Sequence, residues 1–232
     1  EAGFAADLGA EKFLNIVTRS LGRGPDAIVL VAALRAIAHH GAGSEDPLAS
    51  GFENVKRHVQ HLQQYGPPVV VAINKFKDDP DEDLLRVEAL CEAIGTQAIV
   101  ADPWGSGGPG CEDLACAVGD LIEEKSTFTR LYELDIPIKA KIQAIVTKAY
   151  GGNGAEFTPE ANRQIAWAEK NGYGQLPVCM AKTQSSLSDD PKALNAPTDF
   201  RVNVKTVRVS AGAGFVVAEA GDIMLMPGLG AD

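Results

Sequence analysis

The stretch Val69-Val70-Val71-Ala72-Ile73-Asn74, which runs directly into Lys75-Phe76-Lys77, decides the fold class. An apolar run of this length, without strict alternation of polar and apolar side chains, is typical of a strand buried on both faces of a parallel sheet. Two runs of the same kind occupy residues 27–33 and 98–101. We therefore predict a parallel sheet that contains these three strands, each buried on both faces.

The segments between these strands have helical periodicity. Apolar residues recur at helical spacing in two sets: Phe52, Val55, Val59 and Leu62, and then Leu84, Val87, Leu90, Cys91 and Ile94. The acidic residues 81–83 lie where the second helix begins, and negative charge is favourable at a helix amino terminus. A third helix is predicted over residues 112–124. Strands that alternate with helices indicate an α/β fold, a parallel sheet flanked by helices.

The pattern changes after about residue 125. Helices are predicted over residues 138–149 and 159–170, the second with Thr158 as its cap and Pro159 in its first turn. Three further strands are predicted at residues 178–181, 202–209 and 215–218, and a loop without regular structure at 184–198. We therefore predict two parts, an α/β domain over 1–130 and a smaller α+β carboxyl-terminal subdomain over 131–232.

Composition excludes several classes of protein. The formal net charge of -10 and the pI near 4.9 argue against a broad nucleic-acid surface, which needs clustered Lys and Arg. No apolar run approaches the roughly 20 residues that span a bilayer. The four cysteines lack any disulfide-dense spacing, so we expect reduced thiols and a cytoplasmic protein without nucleic-acid or membrane partners. The chain begins at Glu1 without a leader, which we interpret as a cut inside a longer polypeptide.

Two aromatic residues follow predicted strands directly. Phe76 comes two residues after the strand ending at Asn74, and Trp104 comes three residues after the strand ending at Ala101. Ligands of open parallel sheets bind at the carboxyl ends of the strands. If the two strands are neighbours, the rings can face each other across a slot for a flat heterocycle, with stacking worth about 1 kcal/mol beyond burial. The alternative is that both rings simply pack in the core.

Other motifs of this region carry less information. Asn74-Lys75 resembles the start of the guanine-reading Asn-Lys-x-Asp motif, but its fourth position is Lys77, and no Gly-x-x-x-x-Gly-Lys-Ser/Thr loop follows elsewhere. A GTPase is therefore disfavoured. The glycine-rich loop 105–110 either cradles an anion or only gives the backbone freedom to turn. An oxidoreductase would need a Gly-x-Gly-x-x-Gly turn after its first strand, where this chain has Ala33-Leu34-Arg35.

The histidines give the only metal-like spacings, His39-His40 and the His58-x-x-His61 pair. Residues three apart on a helix share a face, but no Cys or carboxylate offers a clear third ligand. We therefore expect a solvated histidine face and no metal site.

Several long strings of this chain resemble those of one known enzyme family. In chain order they are Glu1-Ala2-Gly3-Phe4-Ala5-Ala6-Asp7-Leu8-Gly9-Ala10-Glu11-Lys12-Phe13, Ala33-Leu34-Arg35-Ala36 with His39-His40-Gly41, Val70-Val71-Ala72-Ile73-Asn74, Cys179-Met180-Ala181-Lys182-Thr183-Gln184, Leu187-Ser188-Asp189-Asp190-Pro191, Ser210-Ala211-Gly212-Ala213-Gly214-Phe215 and Met226-Pro227-Gly228-Leu229. Because the strings run in family order from the first residue to the last, the chain resembles the formate–tetrahydrofolate ligases and is identified as a member of that family.

The resemblance implies an enzyme of one-carbon metabolism, a ligase that makes 10-formyltetrahydrofolate from formate, tetrahydrofolate and ATP through formyl phosphate. It implies a fold like that of P-loop nucleotide hydrolases, a homotetramer, and ATP with Mg²⁺. The two aromatic residues that sandwich the pterin in the family align with Phe76 and Trp104. The adenine contacts match Leu187, Ser188 and Pro191, and Phe4 is placed in the same cleft. No catalytic base and no metal ligand of this chain is implied.

Two departures from the family matter. The P-loop and the basic residue that holds formyl phosphate belong upstream of Glu1, so we expect this segment to be inactive without an amino-terminal half. The connection over residues 41–51 is also several residues shorter than usual. The alternative function is a truncated, non-catalytic folate-binding or assembly module.

Overall fold

The computed structural model describes residues 1–221, so the string Met226-Pro227-Gly228-Leu229 lies outside the described residues. The chain contacts divide into two compact units: Leu21–Arg130, which we term the parallel-sheet unit, and Glu1–Ser20 with the chain from Leu131 onward, which we term the mixed-sheet unit. Residues 1–20 thus pack with the carboxyl-terminal half. The functional division of the chain into 1–130 and 131–232 stays a prediction.

The helices and strands alternate along the chain. In order they are α1 (Gly9–Lys12), a π-helical segment (Phe13–Val17), α2 (Thr18–Leu21), β1 (Ile28–Ala32), α3 (Leu34–His40), α4 (Pro47–Gln63), β2 (Val69–Asn74), α5 (Asp81–Ala93), β3 (Ala98–Ala101), a 3-10 turn (Pro109–Cys111), α6 (Glu112–Ile122), α7 (Ile138–Ala144), a second π-helical segment (Ile145–Tyr150), β4 (Ala155–Phe157), α8 (Pro159–Lys170), β5 (Val178–Ala181), β6 (Val202–Ser210) and β7 (Phe215–Ala220).

The parallel-sheet unit contains the three predicted strands in the order β1-β2-β3, all parallel. Register pairs Ile28 with Val69 and Asn74 with Ala101. The predicted α/β fold with a parallel sheet is therefore confirmed. Only β2 is buried along nearly its whole length, as expected for the central strand.

Helices α3, α4 and α5 cover one face of this sheet. Their shared core comprises Leu34, Ile37, Phe52, Val55, Val59, Val71, Ile73, Leu84, Val87 and Cys91. Local signals fix where the helices begin: the Asp46 carboxylate accepts a hydrogen bond from the Ala49 N–H at 3.1 Å, ahead of Pro47 in the first turn of α4. The acidic first turn predicted for α5 is present.

The prediction that every strand is buried on both faces is wrong for β1. Leu30 and Ala32 pack against the helices, but Val29 and Val31 on the opposite face are exposed. The reason is that β1 has a neighbour on one side only and its second face has no helix layer among the described residues. An apolar run cannot distinguish an edge strand from a central one, because both need one buried face.

The short connection after α3 is compatible with a close helix crossing. A Cβ on Gly51 would lie 1.8 Å from the carbonyl oxygen of Ile37, and a Cβ on Gly41 would lie 1.9 Å from that of Pro47. Both glycines therefore allow the backbones of α3 and α4 to touch. Only Gly41 to Asp46 separate the two helices.

Within residues 1–221 the mixed-sheet unit has four strands in the order β4-β6-β7-β5, in which β6 and β7 pair antiparallel and the two outer pairs are parallel. This confirms the α+β character of the second half and its predicted strands. Strand β4 was not predicted, because three residues are too few to show a period. Within the described residues no helix is both long and apolar enough to cross a membrane.

Candidate functional site

The carboxyl edge of the parallel sheet collects the two predicted aromatic residues. Strands β2 and β3 are hydrogen-bonded neighbours, and the pairing continues past their ends, because the Lys75 N–H donates to the Ala101 carbonyl at 2.9 Å. The segments that carry Phe76 and Trp104 therefore leave the sheet side by side, which was the condition set by the sequence prediction.

Phe76 is held in a short turn. Its N–H donates to the Asp79 carboxylate at 2.8 Å, and the Asp79 N–H donates back to its carbonyl at 3.0 Å. The ring is half-buried, and the guanidinium carbon of Arg35 lies 3.7 Å from its centroid. The ring is thus fixed at its backbone and in contact with a cation.

Trp104 projects into solvent with 93% of its surface exposed, so the alternative that both aromatic residues pack in the core is wrong for Trp104. Asp102 organises its loop: one carboxylate oxygen accepts from the Gly105 N–H at 2.7 Å, and the Asp102 N–H donates to the Gly110 carbonyl at 2.9 Å. A Cβ on Gly110 would lie 2.3 Å from the Asp102 carbonyl oxygen. Glycine is therefore needed here so that the backbone can turn closely on itself. Freedom of the backbone to turn was one of the two alternatives that the sequence left open.

The cations of this edge are not equivalent. Lys75 pairs with Asp81 at 2.8 Å, and this hydrogen bond raises the pKa of Lys75 while it lowers the pKa of Asp81.

Arg35 is a second cation at this edge, and the sequence pattern did not mark it as a site residue. The signal that could have found it is the one used for Phe76, since Arg35 also follows a parallel strand at its carboxyl end.

The predicted nucleotide residues all belong to the mixed-sheet unit. Phe4 has 81% of its surface exposed and a left-handed backbone (φ 62°). Leu187 and Ser188 are buried, whereas Pro191 is exposed. Phe4 and Pro191 are therefore the accessible members of the set.

A buried ion pair links the segment of Phe4 to the loop of Leu187 and Pro191. The Lys182 ammonium lies 2.6 Å from the Asp7 carboxylate, and both side chains are almost fully buried. Lys182 also donates to the carbonyls of Thr183 and Ser186. Burial lowers the pKa of Lys182, and the Asp7 carboxylate opposes this. The opening string and the string that ends β5 are thus joined.

Glu11 is fully buried, and its carboxyl group interacts electrostatically with Asp7 of this pair. Its carboxylate accepts a hydrogen bond from the Asn15 amide at 3.0 Å. Burial raises the pKa of Glu11 to about 7, which puts its titration near neutrality. No signal in the sequence marked this residue, because its burial depends on the packing of the whole unit.

The predicted solvated histidine face is wrong. His58 and His61 are buried in α4, and His61 Nε2 is 3.2 Å from the Tyr65 hydroxyl. Across the described residues no three His, Cys, Asp or Glu side chains are grouped as a metal site would need. The four cysteines, all in the described part, are free thiols; Cys91 is buried and Cys116 is exposed.

A surface groove elsewhere in the mixed-sheet unit contains none of the predicted ligand-binding residues. It lies between α8 and β6, and its lining comprises Arg163, Gln164, Trp167, Val207, Arg208 and Val209.

An aromatic residue on each of two neighbouring loops thus lies at the edge where open parallel α/β sheets commonly bind ligands. The chain belongs to the formate–tetrahydrofolate ligase family, whose sequence pattern matches residues 1–232. It is 47% identical over 237 residues to a formate–tetrahydrofolate ligase of Lactiplantibacillus plantarum, across 99% of this chain and 43% of that protein. The resemblance seen in the sequence is confirmed. The chain spans less than half the length of this relative.

Proposed function

We propose that this chain is part of an enzyme that ligates formate to tetrahydrofolate with ATP, giving 10-formyltetrahydrofolate through formyl phosphate. The chain supplies the folate slot and part of the nucleotide cleft. The main observation behind this proposal is that Phe76 and Trp104 lie on adjacent segments at one edge of the sheet, in a chain of this family.

The proposed reaction has two displacements. A formate oxygen attacks the γ-phosphorus of ATP and ADP leaves, which gives formyl phosphate. N10 of tetrahydrofolate then attacks the formyl carbon, inorganic phosphate leaves, and N10 loses its proton. No residue of this chain is assigned as the base.

We propose that Phe76 and Trp104 orient the pterin for this chemistry. A pterin stacked between the rings gains about 0.5–1.5 kcal/mol per aromatic pair beyond burial. Its fixed position holds N10 toward the formyl group, which lowers the entropic cost of the second displacement. Asp79 and Asp102 support the two rings through the backbone hydrogen bonds described above.

The nucleotide is proposed to meet this chain through its adenine. Phe4 and Pro191 offer accessible surface, and the buried Leu187 and Ser188 hold the loop in shape. Mg²⁺ is expected with the ATP phosphates, but no described set of carboxylates and histidines here fits a metal ion. We therefore place the phosphate and Mg²⁺ site mainly in other parts of the polypeptide and assign no step of this chain to the metal.

The remaining features of the family are proposals of the same kind. They are a homotetramer, contact with the amino-terminal half of the same protein, and a cytoplasmic location. The acidic net charge of -10 fits a protein that handles small molecules rather than nucleic acid.

The test is substrate-dependent turnover by the full-length polypeptide that contains this chain. We expect 10-formyltetrahydrofolate together with one ADP and one phosphate per product, and no product when formate, ATP or tetrahydrofolate is left out. Folate binding without any turnover under these conditions would instead support the non-catalytic folate-binding module.

A further inference from the structure

The contact between Arg35 and Phe76 is unusually close. The guanidinium carbon lies 3.7 Å from the ring centroid, whereas the other cation–ring distances of the described residues are 4.8 to 5.4 Å. A separation of 3.7 Å is van der Waals contact, well inside the roughly 6 Å within which a cation is attracted to a ring face. The guanidinium thus covers one face of Phe76.

The strand order shows which segments lie beside Phe76. Phe76 follows the central strand β2, Arg35 follows β1 on one side, and Trp104 follows β3 on the other. The segments that carry Arg35 and Trp104 therefore flank the segment of Phe76 on its two sides. A flat ligand between Phe76 and Trp104 meets the ring face that Arg35 leaves open.

Local electrostatics do not explain why an arginine lies here. Arg35 is the second residue of α3, and a cation in the first turn of a helix opposes the helix dipole. Its side chain is exposed, and no described carboxylate forms an ion pair with it, in contrast to Lys75 with Asp81. A residue that breaks a local rule without forming an ion pair is expected at a functional site.

We infer that Arg35 is a positioning residue for the folate slot, which holds the Phe76 ring from the face opposite the pterin. This inference rests on the proposed folate site. The guanidinium restrains rotation of the ring, so less freedom is lost when the ligand stacks. It also draws π-electron density toward itself, which makes the open face a better partner for the electron-rich aminopyrimidinone ring of a tetrahydropterin.

The test compares Arg35→Met with wild type in the full-length protein. We expect tetrahydrofolate to bind about three- to tenfold more weakly, as loss of one cation–π contact implies, and KM for tetrahydrofolate to rise with kcat nearly unchanged. The affinity for ATP should stay within twofold, and Arg35→Lys should be intermediate because ammonium lacks the planar stacking surface. Arg130→Met is the matched control, because it removes an arginine–phenylalanine contact of 5.2 Å in the same unit.

A double-mutant cycle with Phe76→Leu makes the inference specific. In the Phe76→Leu background, Arg35→Met should change tetrahydrofolate affinity by less than twofold. An equal loss in both backgrounds would overturn the inference, as would an unchanged affinity in Arg35→Met when Phe76→Leu weakens binding. If Phe76→Leu and Trp104→Ala both leave the affinity unchanged, the folate site itself is misplaced. If Arg35→Met does not fold, Arg35→Gln takes its place in the same cycle.

Discussion

Glu11 gives the clearest prediction for a single residue. Its pKa of about 7 lies above the 4.5 of a free carboxyl, so the folded protein binds more protons than the unfolded chain between these values. Stability should therefore be highest below about pH 4.5 for this group and should fall as pH rises through 7, by on the order of 3 kcal/mol. Glu11→Gln, which can still accept the Asn15 hydrogen bond, should remove this dependence.

The measurement is the free energy of unfolding in urea at pH 5 and pH 8. The free energy of unfolding of Glu11→Gln, relative to that of wild type, should be larger at pH 8 than at pH 5. Glu53→Gln is the control, because it makes the same chemical change at an exposed position on α4. An equal difference at both pH values would mean that Glu11 does not titrate in this range.

Single residues also show how far the sequence could predict the site. The placement of Phe76 and Trp104 on neighbouring segments at one sheet edge could be predicted, because a buried strand is visible as an apolar run and its end marks that edge. Arg35 and Asp102 were not predicted, because their roles depend on neighbours 41 residues away and on the closure of a loop. His58 and His61 were misassigned as solvated, since helical spacing does not tell which face meets the core.

Among the elements, the crossing of α3 and α4 makes a sharp prediction. Gly51→Ala should destabilise the protein by several kcal/mol or prevent folding, because the new Cβ would overlap the Ile37 carbonyl. Gly119→Ala on α6 is the matched control. A Cβ there meets nothing within 4 Å, so alanine should be neutral or stabilising by up to about 1 kcal/mol. Thermal unfolding of both variants checks this, and a stable Gly51→Ala protein would contradict the crossing.

The loop of Leu187 and Pro191 makes a prediction about the nucleotide. It has no regular element, as predicted, but it is fixed by side chains: the Ser186 and Ser188 hydroxyls are 2.9 Å apart, and Ser186 donates to the Ala193 carbonyl at 2.6 Å. We expect adenine to bind beside it, because ordered loops on a scaffold commonly carry ligand contacts. A structure with bound ATP would check this. Adenine more than about 8 Å from every atom of the loop, roughly two contact shells, would contradict it.

The helices and strands could be predicted where their apolar pattern repeats over enough residues. Strands β2, β3 and β5 and helix α8 have the predicted bounds, because each has a full period and distinct ends. The helical stretch from Gly9 and helix α3 were not predicted. Helix α3 has only 7 residues. The stretch from Gly9 depends on packing against distant residues, as when the Asn15 amide oxygen accepts from the Leu131 N–H at 3.0 Å.

At the scale of the whole molecule, we expect residues 1–232 by themselves to show no ATP-dependent formylation. Phosphoryl transfer requires backbone donors, a lysine and a metal around the phosphates. This chain has no P-loop motif, and Lys75 and Lys182, the two lysines of the proposed ligand regions described above, are paired with Asp81 and Asp7. The assay measures 10-formyltetrahydrofolate with the full-length polypeptide as positive control. Appreciable turnover by the purified chain would mean that the ATP site is misplaced.

The central claim is that tetrahydrofolate stacks between Phe76 and Trp104, and calorimetric titration of the full-length protein tests it most directly. Trp104→Ala should weaken tetrahydrofolate binding by about 1–3 kcal/mol and leave ATP binding unchanged. Trp167→Ala is the control, because Trp167 is also exposed, at 57%, but lies on α8 in the other unit. This variant should bind both ligands as wild type does. A folded Trp104→Ala protein with unchanged affinity for tetrahydrofolate would contradict the account.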